Sequence, residues 1–380
     1  MKISDDVRYI GVDDTTLDLF ESQYKIPEGV SYNSYLILDE KIAVMDTVDK
    51  RKTEEWLANL KRELGGKTPD YLVISHMEPD HSASVAALIK EYPSINVVGN
   101  QKTFTIAERF FGNIFPVRTT VKDGETLSLG KHSLTFIFAP MIHWPEVMVS
   151  YEATEKILFS ADAFGKFGIP SAEADWDDEA RRYYINIVGK YGNMVQQLLK
   201  KASMLEIAAI CPLHGPVLKG DLSHYLEKYD VWSSYRPEEK GTFIACASIH
   251  GHTKEAMLKL KAILEEKGEK TVFCDLTRED LAAAVANAFR FDKSIFAACT
   301  YDAGLFPPME DFLNHLKAKN FQNRKIALVE NGSWAPFAGK IMRTTLESMK
   351  NLQLGETLTI PSALHDESAL VCFAENFLKN

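Results

Sequence analysis

The sequence predicts two α/β parts in series. Residues 1–236 read as packed sheets with helices outside them, and residues 241–380 as a doubly wound, five-stranded parallel sheet. Three observations predict this. Short apolar runs of strand character crowd the first part, some close enough to pair antiparallel. After residue 241, strand-like and helix-like patterns alternate one for one, as parallel strands joined by crossover helices do. Between the two parts, "YDVWSSYRPEEKG" (229–241) combines Pro237, a charge cluster and Gly241, which is linker chemistry.

In chain order, the first part offers the strands "SYLILD", "KIAVMDTV", "YLVIS", "INVVG", "SLTFIFA", "VMVSYE" and "KILFSA". Helical patterns are "KTEEWLANLKREL", "SASVAALIKEY" and one long helix "RRYYINIVGKYGNMVQQLLKK" over 181–201. The second part gives the strands "TFIACAS", "KTVFCDL", "KSIFAACT", "KIALVE" and "TLTIPS". Each is followed by a helix, the last being "DESALVCFAENFLKN".

A length of 380 residues with 46% hydrophobic and 25% charged side chains is that of a globular chain with a sizeable core. A net charge of −10 sets the chain against nucleic-acid or anionic-membrane binding, which needs a positive surface. No run reaches the ~18 apolar residues of a membrane span, and "MKISDDVRYIGVDD" has no apolar signal core. Cys211, Cys246, Cys274, Cys299 and Cys372 are scattered and form no C-x-x-C pair. A reducing, cytoplasmic setting is expected, without disulfides or a cysteine-held metal.

The stretch "SHMEPDHSAS" places His76, Glu78, Asp80 and His81 directly after the strand "YLVIS". Three later apolar runs also end on ligand-type residues: His143, Asp162 and His214. Strand ends hold side chains rigidly, which suits ligands. Seven such residues exceed the four that a tetrahedral zinc takes and suit two ions, with Asp162, alone at its strand end, as the bridge. The spacing of His76, Glu78 and Asp80 sends all three to one side if the loop is extended, with a helix beginning near Ser82. Three carboxylates beside four imidazoles make a site harder than a zinc hydrolase site and favour iron or manganese. His132, His224, His315 and His365 lack such company and read as ordinary core or surface residues.

H-x-E-x-D-H resembles the metallo-β-lactamase signature H-x-H-x-D-H with glutamate in place of the second histidine. The intervals of 61 residues between His81 and His143 and 18 between His143 and Asp162 resemble those of flavodiiron proteins. So do "YNSYLI", "HWPEVMVSY" and "SADAFG", and the likeness runs over nearly the whole chain. It implies a metallo-β-lactamase-like αββα sandwich followed by a flavodoxin-like sheet. It also implies a non-haem di-iron centre: His76, Glu78 and His143 on one iron, Asp80, His81 and His214 on the other, and Asp162 bridging. The 51 residues between Asp162 and His214 are fewer than the family leads one to expect, which trims a loop beside the site.

The second part carries its own binding pattern. In "CASIHGHTKEAM", Ser248, Gly251 and Thr253 put hydroxyls and free N–H groups at a helix start, a cradle for phosphate. The loops "TYDAGLFPP" and "ENGSWAPFAG" follow the third and fourth strands, at the sheet edge where such folds bind ligands. Together the three loops resemble the FMN loops of flavodoxins. That resemblance assigns FMN contacts to Ser248, Ile249, His250, Gly251, His252 and Thr253, to Thr300, Tyr301, Asp302, Ala303, Gly304 and Leu305, and to Asn331, Gly332, Ser333, Trp334 and Ala335. Beside a phosphate, His250 and His252 are unusual and add positive charge when protonated.

The resemblance implies an oxidoreductase that reduces O₂ to water, NO to N₂O, or both. Electrons would come from a donor such as rubredoxin or a reduced deazaflavin and pass through FMN. It further implies a head-to-tail homodimer or dimer of dimers, in which Trp144 lies at the electron-transfer junction. Of Tyr24, Tyr183 and Tyr184, the last is expected in the gas pocket. Two competing readings are a dinuclear zinc hydrolase, against which Glu78 speaks, and a non-catalytic redox sensor with the same cofactors.

Overall fold

The computed structural model describes residues 2–115, 117–171 and 175–379, and no helix among them is long and apolar enough to cross a membrane. Its contacts divide into two units: Met1–Tyr184 with Asn193–Asp230, and Ile185–Gly192 with Val231–Asn380.

The first unit contains two six-stranded sheets. One runs Val7–Tyr9, Tyr35–Ile37, Ala43–Met45, Tyr71–Val73, Asn96–Gly99, Val117–Thr120. The other runs Thr126–Ser128, Ser133–Phe138, Met148–Glu152, Ile157–Phe159, Ala209–Cys211, Leu218–Lys219. Their apolar faces meet in one core, with Val7, Tyr35, Met45 and Val73 from the first sheet against Phe136, Met148, Phe159 and Cys211 from the second. Helices bury apolar stripes on the sandwich. Thr53–Leu64 turns Trp56, Leu60 and Leu64 inward at spacings of four, each worth about 1.5–3 kcal/mol of burial. This is the αββα arrangement that the sequence implies.

Two local expectations need correcting. The stretch 181–201 is not one helix: α-helix Trp176–Tyr183 passes through a π turn (Tyr184–Val188) and a 3₁₀ turn (Gly189–Tyr191) into α-helix Gly192–Ala202. Glycine weakens a helix, and a Cβ on Gly192 would lie 2.3 Å from the Ser233 carbonyl, so this close approach admits only glycine. The H-x-E-x-D-H loop also leaves the extended state earlier than expected. Helix Pro79–Ser82 begins on Pro79 at its first turn, with extended Glu78 before it.

The second unit is a parallel sheet in the order Thr271–Asp275, Glu239–Ala247, Phe291–Tyr301, Lys325–Asn331, Gln353–Ile360. By chain order this is 2-1-3-4-5, the flavodoxin-like arrangement. Helices His252–Glu266 and Ser368–Lys379 share one face, where Met257, Leu260, Phe373 and Phe377 pack on Ile244, Ile295 and Val329. The edge strand begins at Gln353, before the expected "TLTIPS". Its first residues mix exposed Gln353 and Glu356 with half-buried Leu354 and Gly355, so no apolar run announces it. The last expected helix reached residue 380, which lies outside the described residues.

Candidate metal centre and cofactor cavity

The four ligand-bearing loops leave the sandwich at neighbouring strand ends, and each is pinned by its own hydrogen bonds. Asp46 accepts from the backbone N–H of Ser75 (2.7 Å) and His76 (3.3 Å), fixing the first loop. Burial pushes the Asp46 carboxyl up to about 6. Thr47 Oγ1 donates to the His81 carbonyl at 2.7 Å. In the third loop, Ser160 Oγ donates to the Ala163 carbonyl at 2.6 Å and closes the turn around Asp162. In the fourth, Asn33 Nδ2 donates to the carbonyls of Pro212 (2.8 Å) and Gly215 (2.9 Å), on either side of His214.

The seven candidate ligands gather in two groups. His76, Glu78, His143 and Asp162 form one; Asp80, His81 and His214 form the other. The helix start at Pro79 divides the motif: Glu78, before it, goes to the first group, and Asp80 and His81, within it, go to the second. Asp162 faces both. Its Oδ2 is 3.4 Å from His76 Nε2 and 3.2 Å from His143 Nε2, and its Oδ1 is 3.3 Å from His81 Nε2 and 3.8 Å from His214 Nε2.

Hydrogen bonds fix two tautomers. His76 Nδ1 lies 2.9 Å from Glu146 Oε1, and His214 Nδ1 lies 2.7 Å from the Ser31 carbonyl. Both partners can only accept, so Nδ1 carries the proton and, in the neutral ring, Nε2 is bare. Yet His76 Nε2 is 3.3 Å from His143 Nε2, and His214 Nε2 is 3.1 Å from His81 Nε2. Both Asp80 oxygens and Asp162 Oδ1 are buried and accept no well-formed hydrogen bond. Lone pairs and carboxylates converging at such distances fit a pair of cations. Without metal, protons must answer the same charges. Burial opposes this, but Asp162 and Glu78 overcome it and raise the His143 imidazole to about 9. Burial likewise resists charge on Asp162, and the imidazoles of His76, His143 and His81 still hold its carboxyl well below the usual range.

Aromatic rings wall the centre. Phe20 meets the His214 ring edge-on at 5.3 Å, and Tyr183 lies against it at 5.5 Å. The ring of Tyr184, expected in the pocket, packs on Tyr229 at 5.0 Å, and Tyr24 packs on Phe167. The two tyrosines are adjacent where a helix turns into a π turn, and sequence periodicity cannot tell which one faces inward there. Trp144 stands edge-on to His76 at 5.3 Å. Sequence reasoning passed over Glu146, Asp46 and Ser31. Glu146 was visible as a carboxylate three residues after His143, and Asp46 as one directly after the apolar strand Ala43–Met45; Ser31 carries no local signal.

In the second unit, the three expected loops line one cavity of about 930 Å³, at the upper limit for small-molecule sites. The structure brings Ser248, Ile249, His250, His252 and Thr253 to it, with 300–303 and 331–335. Gly251, Gly304 and Leu305 are not on the lining. Gly251 turns the loop at φ +94, while Gly304 and Leu305 pair back onto Tyr301 and Thr300 as a hairpin. Cys299, Phe337 and Ser362 join the lining unforeseen. Helix His252–Glu266 starts without a side-chain cap, leaving N–H groups for an anion. Lys254 Nζ is held by Asp275 at 2.9 Å, so amides and hydroxyls carry that role. Tyr301, Phe337 and Trp334, the last 93% exposed, supply flat apolar surface at the rim. An uncapped helix start and an aromatic rim fit a phosphate-bearing flavin.

The profile described as "ODP family beta lactamase" matches residues 30–215. A nitric oxide reductase from Moorella thermoacetica is 30% identical over 362 residues, which cover 92% of this chain and 90% of the relative. Among solved structures, the flavodiiron protein from Giardia intestinalis superposes with a TM-score of 0.91 at 26% identity, covering 100% of this chain and 96% of its own. Rubredoxin oxygen:oxidoreductase from Desulfovibrio gigas gives 0.91 at 25% identity, covering 100% and 98%.

Proposed function

The chain belongs to the flavodiiron protein family, and from that premise we propose that it reduces O₂ to water, NO to N₂O, or both, at a pair of irons supplied with electrons through FMN. The observation that carries this reading is the set of bare imidazole nitrogens and unbonded carboxylate oxygens around Asp162. Three carboxylates beside four imidazoles suit iron. Bound FMN would relay electrons, and bound irons would take up the gas and reduce it.

The chain's own residues then have distinct tasks. His76, Glu78 and His143 would hold one ion, and Asp80, His81 and His214 the other. Asp162 would offer Oδ2 to the first and Oδ1 to the second. Burial, helped by Asp162, Asp80 and Glu78, holds the Tyr183 phenol well above its ordinary value. Tyr183 Oη therefore keeps its proton, while the ring packs against His214. Phe20 and Trp144 exclude water from the imidazoles. In the second unit, N–H groups at the start of helix His252–Glu266 would bind the phosphate, and Tyr301 and Trp334 would flank the ring.

The finer reading places the metal-binding part within residues 1–236 and the flavin-binding part within 241–380. It takes reduced rubredoxin or a deazaflavin as donor, a head-to-tail homodimer or dimer of dimers as the assembly, with Trp144 at the junction, and the cytoplasm as the compartment. The likeness in sequence supports the donor and the assembly. Five cysteines, none in a disulfide, support the compartment.

Anaerobic purification should give two irons and one FMN per chain. Protein supplied with chemically reduced rubredoxin should then consume O₂ or NO. Asp162→Ala should lose both metal and uptake. A zinc-loaded, colourless protein, or uptake unchanged in Asp162→Ala, would overturn the proposal.

A further inference from the structure

The candidate imidazole ligands are not equally supported from behind. His76 Nδ1 meets a carboxylate, Glu146, at 2.9 Å. His214 Nδ1 meets a neutral carbonyl, Ser31, at 2.7 Å. His81 Nδ1 is buried without a hydrogen-bond partner. The Glu146 side chain is itself fully buried, and the loop holds it in place. Its Oε1 also accepts from the Met77 N–H at 2.9 Å, and its backbone carbonyl accepts from Asn100 Nδ2 at 2.6 Å. Its Oε2 has no hydrogen-bond partner, so its charge is poorly spread.

The charge around the two groups is therefore unequal. One side has Glu78 as a ligand and Glu146 behind a ligand. The other has Asp80 as its unshared carboxylate, and neither His81 nor His214 is hydrogen-bonded through Nδ1 to a charged group. Asp46 lies near His81, but it is bonded to the Ser75 and His76 N–H groups, and burial pushes its carboxyl up. Asp162 is shared. A carboxylate accepting from the far nitrogen of a ligating imidazole locks the tautomer and raises the donor strength of the near nitrogen. In a buried site that charge is weakly screened.

We propose that Glu146 is a positioning residue that acts through His76 and makes the two halves of the centre unequal donors. The half held by His76, Glu78 and His143 then keeps the ferric ion when one electron has been added to a diferric pair. This rests on the di-iron reading above. The step is a single electron transfer from an added chemical reductant: one ferric ion becomes ferrous, and no bond is made or broken. Unequal halves are reduced in two separate steps, and the half-reduced pair accumulates between them.

Glu146→Gln removes the charge and keeps an oxygen able to accept from both His76 Nδ1 and Met77 N–H. Glu146→Asp keeps the charge. Iron-loaded protein would be titrated anaerobically with the reductant while the paramagnetic signal of the half-reduced pair is followed at low temperature. Iron would be counted before and after a chelator challenge. The wild type and Glu146→Asp should show a large half-reduced signal. Glu146→Gln should show that signal several-fold smaller, and about 10–100-fold weaker iron retention. An unchanged signal in Glu146→Gln that still holds two irons would overturn the inference. Should Glu146→Gln fail to load, loading of Glu146→Asp supports a role for the charge, and equal failure of both overturns it. A wild type without iron counts against the di-iron reading itself.

Discussion

His132 shows how a residue that reads as ordinary in sequence becomes informative in context. It is buried, with Nδ1 3.0 Å from Glu152 Oε1 and Nε2 3.2 Å from Asp6 Oδ2. Asp6, His132 and Glu155 gather much as the seven ligands do, but the gathering is answered from within: Lys131 Nζ caps Asp6 at 2.6 Å, and the Glu152 carboxylate accepts from the Thr154 and Glu155 N–H groups. Burial opposes a charge on His132, and hydrogen bonds to Glu152 and Asp6 win, raising its imidazole above the ordinary value. A raised histidine stabilises the fold fully below the unfolded value of about 6.5, and that stability is lost as pH climbs through the folded value. Urea unfolding should therefore show His132→Gln destabilised by about 1–3 kcal/mol near pH 5.5, with the gap closing as pH climbs above the ordinary histidine range. A gap independent of pH would mean His132 acts by packing alone. Its place at the end of an apolar run sets His143 apart from His132 in sequence; what answers the charges around each is visible only in the partners.

At the scale of elements, the sequence made the ligand-bearing strand ends readable because each is an apolar run stopped by a polar residue. Residue spacing alone did not make readable how the H-x-E-x-D-H loop divides its ligands, which depends on where one short helix begins; the family resemblance supplied the division that the two groups follow. Nor did spacing foretell the break in 181–201, whose apolar pattern continues across the π turn. Loop geometry can be tested with glycines. Gly215 follows His214 at φ +77, and a Cβ there would lie 2.8 Å from Lys166 Cγ. Gly124 has φ +81 and open space around it. Gly124→Ala should cost about 1 kcal/mol in thermal unfolding and leave the iron content intact. Gly215→Ala should cost more and release iron from the His214 side. Equal effects on iron would show that the loop is not held at Gly215.

For the molecule as a whole, the alternation of elements after residue 241 made the second sheet legible, but not its membership. Ile185–Gly192 joins the second unit across a long sequence separation. Tyr235 Oη donates to the Gly189 carbonyl at 2.9 Å and accepts from the Gly192 N–H at 3.1 Å, and Asn186 Nδ2 donates to the Ala282 carbonyl at 3.0 Å. Side-chain bonds of this kind leave no periodic trace. Tyr235→Phe strands buried backbone groups, so calorimetry should find the second unit weakened by about 1–3 kcal/mol with iron content unchanged. Loss of iron instead would place Tyr235 in the service of the other unit. The account as a whole stands on two ions sharing Asp162. The most direct measurement is anomalous scattering at the iron edge from crystals grown without oxygen. It should give two peaks per chain, one among His76, Glu78 and His143 and one among Asp80, His81 and His214, with Asp162 between them. A single peak, or scattering at the zinc edge alone, would contradict it.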